Sequence, residues 1–143
     1  MESFPTELGI LTCLGILAAS LWIPYIIGVN TSEAGSPADI DSQDFSRPAN
    51  PALQRPWVHR AYRAHLNLLE QFVPFAFLVL LVDRVDGFTA LTYWTAIAFF
   101  WLRVAHAIGY ITGWARLPAR PIIFTLGWVC CLIMAYAVFA AAL

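Results

Sequence analysis

The sequence predicts an all-α integral membrane protein, a four-helix up-down bundle forming a single domain over residues 1–143. Two observations carry this. Of the 143 residues, 60% are hydrophobic and only 12% charged, against about 25% charged in an ordinary soluble domain, and mean hydropathy is +0.69. The apolar residues also fall into four long runs separated by polar connections. A chain this short has too little interior to absorb so much apolar surface, so the bilayer becomes its solvent.

The first run, about residues 8–29, holds no charged residue and is long enough for a hydrocarbon core that takes about 20 residues. Glu2 and Glu7 precede it without a basic residue, so it reads as a retained helix rather than a cleaved leader, with a bend expected at Pro24. The segment 30–56, rich in Asn, Ser, Asp and Pro, reads as a polar loop outside the hydrocarbon. Its Asp39, Asp41 and Asp44 lack the Gly and terminal Glu of a calcium loop and read as solvated acids. The second helix is expected over about 57–82, amphipathic at first and then apolar from Phe72. Asp83–Gly87 forms a tight polar turn, and the third helix follows over about 88–111. Pro118 and Pro121 punctuate the next connection, and the fourth helix, about 121–143, opens on Pro121, where a missing N–H costs nothing. Short turns between helices imply antiparallel neighbours. Cys13, Cys130 and Cys131 lie in apolar runs at no metal or disulfide spacing and read as buried hydrophobes.

All eight basic residues are arginines, and the net charge is −1, which argues against nucleic acid. Arg47, Arg55, Arg60 and Arg63 precede or open the second helix, and Arg103, Arg116 and Arg120 surround the third connection; only Arg84 lies at the opposite side. This bias predicts a cytoplasmic arginine-rich face with both termini on the other side, which leaves the Asn30-Thr31-Ser32 sequon unused.

At about 100° per residue, Arg60, Arg63, Asn67 and Glu70 share an arc of roughly 80° on the second helix, and Arg103, His106 and Tyr110 one of roughly 60° on the third. Antiparallel packing brings both stripes, with Arg116 and Arg120, to one membrane face. Snorkelling to headgroups accounts for Arg47, Arg55 and part of Arg116. It accounts less well for Glu70, roughly 15 Å into its helix, where an unpaired carboxylate is expensive and an arginine partner is expected. His65 faces away from the stripe, which disfavours a His65–His106 haem pair and leaves it to packing or subunit contact. The candidate ligand-binding set is Arg60, Arg63, Asn67, Glu70, Arg103, His106, Tyr110 and Arg116.

These residues resemble a known family. Arg63-Ala64-His65-Leu66-Asn67-Leu68-Leu69-Glu70, followed by Pro74-Phe75, is similar to the helix-two signature of the MAPEG family, membrane-associated proteins in eicosanoid and glutathione metabolism. Arg103-Val104-Ala105-His106-Ala107-Ile108-Gly109-Tyr110, then Arg116-Leu117-Pro118-Ala119-Arg120, resembles its second signature. The resemblance implies a homotrimer with glutathione, as co-substrate, bound between subunits near the cytoplasmic face. It implies that Arg63, Asn67, Glu70 and Tyr110 hold the tripeptide, and that Arg120 is the catalytic group that stabilises its thiolate. A lipophilic substrate would enter from the membrane lipids. Glutathione carries two carboxylates and one ammonium, which arginine forks and a glutamate match. Its thiol needs a neighbouring cation to ionise near neutrality. The chain departs from the family's catalytic pattern in having no arginine on the first helix, Phe124 where a tyrosine is common, Pro121 where a relative carries Ser, and Leu66 where a relative carries Arg. Two expectations follow: a glutathione-dependent transferase or peroxidase for lipophilic electrophiles, and a non-catalytic member that binds a lipid or a partner membrane protein.

Overall fold

The computed structural model describes residues 4–114 and 118–143. Its elements are α1 (Thr6–Ser20), α2 (Ile23–Asn30), α3 (Pro37–Ser42), a 3-10 turn (Pro51–Leu53), α4 (Pro56–Arg84), α5 (Ala90–Thr112) and α6 (Ala119–Ala142). Among the described residues, four stretches are long and apolar enough to cross a membrane: Thr6–Asn30, which joins α1 to α2, then α4, α5 and α6. The all-α four-span architecture is therefore as the sequence predicts.

The first span breaks one turn ahead of Pro24, which lies in the opening turn of α2. Proline has no N–H to give the carbonyl four residues back. For Pro24 that carbonyl is that of Ser20, and one residue earlier the indole of Trp22 donates to the Ala19 carbonyl at 2.7 Å, beside the break. Pro74 interrupts no element; α4 runs unbroken past it, as membrane helices often do. The chain then turns through Asp86, in the left-handed region at φ 52°, and Gly87, where an added Cβ would lie 2.9 Å from that of Ala141. A capping box between Thr89 and Thr92 opens α5, and Gly113 at φ 80° closes it, the conformation glycine supplies at helix ends.

Helices α4, α5 and α6 pack on one another, and α1 lies against α4 and α5. Their shared core holds Leu14, Phe75, Val79, Val82, Phe99, Cys130, Cys131 and Met134, with the rings of Phe75 and Phe99 stacked at 3.8 Å. Cys130 and Cys131 are buried as expected, but Cys13 is exposed, because α1 buries only Glu7, Leu14 and Ala18. Ile16, Phe77, Trp94, Trp101, Trp128 and Tyr136, each more than half exposed, belong to a large exposed apolar surface. Acyl chains or neighbouring subunits must cover it.

The 30–56 segment is more ordered than the sequence suggests. Ser36 caps α3 by accepting from the Asp39 N–H. Asp41 is buried, accepting from the Asn50 N–H and from Arg47, each at 2.5 Å, and Arg47 also reaches Asp44 at 3.4 Å. Asp41 is thus a tertiary fastener rather than a solvated acid. The Asn50 N–H first, and Arg47 after it, hold its carboxyl below the usual range.

Candidate functional site

On α4 the buried residues Val58, Ala61, Ala64, Leu68, Gln71 and Phe75 form one face. The polar stripe flanks it, centred about 100° away on the helical wheel. The stripe therefore runs along the rim of the bundle. Asn67, nearer the buried face, is half-buried, while Glu70, at the far edge of the arc, is exposed. On α5 the stripe points inward, and Arg103, His106 and Tyr110 are all buried.

A groove of about 470 Å³ opens where these faces meet the start of α6, lined by Arg63, Asn67, His106, Tyr110, Arg120, Pro121, Phe124 and Thr125. Arg120 donates to the Tyr110 hydroxyl oxygen and sets its guanidinium 3.9 Å above the phenol ring. A cation over a π face is attracted to it, so two contacts fix one side chain. The phenol proton stays available to a groove acceptor. The His106 ring lies 5.5 Å from that of Tyr110. Two arginines and no carboxylate line this groove. Among the described residues, the ion pairs are those that Arg47 makes with Asp41 and Asp44. The groove is therefore electropositive and presents fork-shaped donors, suited to a carboxylate or a thiolate.

The structure thus brings together Arg63, Asn67, His106, Tyr110 and Arg120 and separates the other candidates from them. Arg60 turns to the end of α5, its Nε donating to the Ile111 carbonyl at 3.2 Å. Its guanidinium covers Gly113, a cation at a helix C-terminus where the dipole favours it. Arg103, only 1% exposed, points into the bundle and donates through Nη2 to the Ile123 carbonyl at 2.9 Å. Glu70 lies on the outer wall outside the groove lining, and the arginine partner expected for it is not found among the described residues of the same chain. Arg116 lies outside the described residues. His65 is half-buried with no partner for Nδ1.

The sequence reading overlooked Thr125, which adds a hydroxyl to the groove, and Gln71, which is buried and donates to the Phe124 carbonyl at 2.8 Å. An amide at the junction between the polar and apolar halves of α4 was the available signal. It was masked by its charged neighbour Glu70.

Residues 9–140 match the MAPEG family. The chain is similar to the prostaglandin E synthase of Homo sapiens, 28% identical over 137 residues, which cover 93% of this chain and 88% of that protein. It is equally similar to the prostaglandin E synthase of Macaca fascicularis, at 28% over the same lengths.

Proposed function

The chain belongs to the MAPEG family, and from that premise we propose that it is a membrane-embedded, glutathione-dependent transferase or peroxidase acting on lipophilic electrophiles. The observation that carries the reading is the Arg120–Tyr110 pair in a groove that also presents Arg63 and Asn67. Arg63 and Asn67 bind carboxylate and amide groups of the tripeptide, and Arg120 lies beside the sulfur. A fixed cation there lowers the thiol pKa from its free value of about 8.5 and raises the nucleophilic fraction at neutral pH. With an aryl halide the thiolate sulfur forms the new bond to the ring carbon. Halide leaves with its bonding electrons, and the thiol proton passes to solvent.

Glu70 takes the tripeptide ammonium in this reading, from a wall covered by a neighbouring subunit. An exposed carboxylate in the middle of a spanning helix is costly against lipid, which supports subunit packing on that wall. Assembly in threes comes from the family resemblance. Relatives named for making prostaglandin E support a lipophilic substrate.

Calorimetric titration of glutathione into the detergent-solubilised protein tests the binding step. Conjugation of an aryl halide, with Arg120→Ala as control, tests the chemistry. Binding together with a turnover that Arg120→Ala lowers about 100-fold is the expected result. A second reading, a non-catalytic member that holds a lipid or a partner membrane protein, is favoured by Phe124 and Pro121, apolar residues in the groove lining. Absence of any binding heat at millimolar glutathione would leave that reading standing.

A further inference from the structure

Gln71 and Arg103 meet α6 at a single point. An added Cβ at Gly127 would lie 2.2 Å from Gln71 Oε1 and 2.7 Å from Arg103 Nη2. Only a residue without a side chain admits both groups, and through that opening they reach the adjacent carbonyls of Phe124 and Ile123. Arg120, Ile123, Phe124 and Gly127 share one face of α6, within an arc of roughly 100°. The contact lies about 10 Å along the helix from Arg120. Below it, α6 buries Cys130, Cys131, Met134 and Ala137, an apolar face that packs by shape and offers no directional polar contact. The two polar contacts are directional, and they come from two different helices.

Arg103 pays for its place. Among the described residues, its Nε and Nη1, like Gln71 Oε1, have no hydrogen-bond partner, and no carboxylate lies within ion-pair distance of it. Burying a guanidinium so poorly satisfied is unfavourable, and a leucine would pack there without that penalty.

We propose that Gln71 and Arg103, seated over Gly127, are positioning residues that set the rotation of α6 and so hold Arg120 against Tyr110 in the groove. Neither touches the ligand; both act through the α6 backbone. The catalytic part of this inference rests on the glutathione reading, and its structural part does not.

The structural part is tested with Thr125→Cys, a groove-lining position on α6, placed in a Cys13→Ala background because Cys13 is the exposed native cysteine. The rate of maleimide labelling reads the rotation of the helix. Gly127→Ala forces out either α6 or the two side chains, and Gln71→Leu keeps the volume while deleting one donor. Both should change the labelling rate severalfold while the protein still purifies folded. An unchanged rate in both overturns the inference, whatever the activity of the protein.

The catalytic part is tested by a double-mutant cycle. Gly127→Ala should lower kcat for conjugation by about 100-fold, the scale of a misplacement of roughly 1 Å at a reacting centre. It should change the KM for glutathione far less. In an Arg120→Ala background it should add almost nothing, because its effect passes through that residue. Additive losses would show that Gly127 acts elsewhere and overturn the inference. Wild-type protein without glutathione chemistry would instead sink the function proposed above, and the labelling rates would still decide the rotation.

Discussion

Arg47 and Arg120 sit at the same end of the bundle and use identical side chains in opposite ways. Arg47 is neutralised within the chain, donating to Asp41 and Asp44, and the result is a fastened loop. Arg120 meets a phenol and an aromatic face, neither of which cancels its charge. An arginine matched to a carboxylate has spent its electrostatic field on structure. One held in place by neutral groups keeps that field for whatever enters the groove. By this criterion the loop is scaffold and the groove is the candidate site, although the loop has more acidic residues and equally good hydrogen bonds.

The largest effect expected from this contrast belongs to Arg120→Ala. Aryl-halide conjugation should fall about 100-fold in kcat, the usual cost of deleting one donor to a developing or stabilised anion, with the melting temperature of the detergent-solubilised protein nearly unchanged. A comparable loss of thermal stability would place Arg120 with Arg47 as scaffold and erase the distinction. Next comes Arg63→Ala, which removes one fork from the groove. Calorimetry should show glutathione affinity about tenfold weaker, in line with one charge-assisted hydrogen bond, while kcat at saturation holds. Asp41→Asn should do the reverse, leaving conjugation at the wild-type rate and making the 31–55 segment severalfold more sensitive to limited proteolysis.

The smallest effect is the pH dependence of that fastener. The folded-state pKa of Asp41 is depressed by the Asn50 N–H and Arg47, and that of Asp44 by the Ser46 hydroxyl and N–H. A depressed carboxyl stabilises the fold above its unfolded pKa of about 3.9 and loses that contribution as pH falls through the folded value. Hydrogen exchange at the Asn50 amide, corrected for intrinsic rate, should be flat from pH 7 to about pH 5 and accelerate only below about pH 4. Acceleration already at pH 6 would point to a histidine and contradict the assignment.

Much of the fold was legible because a bilayer imposes length and apolarity on any segment that crosses it. The starts of α4 and α6, at Pro56 and Ala119, lie within two residues of the positions read from the sequence. The loop was harder. Asp41 looks like its neighbours Asp39 and Asp44 along the chain, and it becomes a buried fastener only because Arg47 and Asn50 fold back onto it. In the groove, Arg63, Asn67, His106 and Tyr110 were legible as members of polar stripes meeting at one end of an antiparallel bundle, and Arg120 as an arginine at that same end.

By itself, then, the sequence determined that the chain crosses the membrane four times, which end collects the arginines, and which helix faces are polar. Only the tertiary structure decided which of those polar residues share a groove. Arg103 and Tyr110 lie on one stripe of α5, yet Tyr110 lines the opening while Arg103 is locked over Gly127. A helical wheel gives a residue's angle about its own axis, but what fills that angle at each height belongs to the neighbouring helix. Opposite Arg103 that neighbour offers a glycine and two carbonyls; opposite Tyr110 it offers the end of α6, a cation and open space.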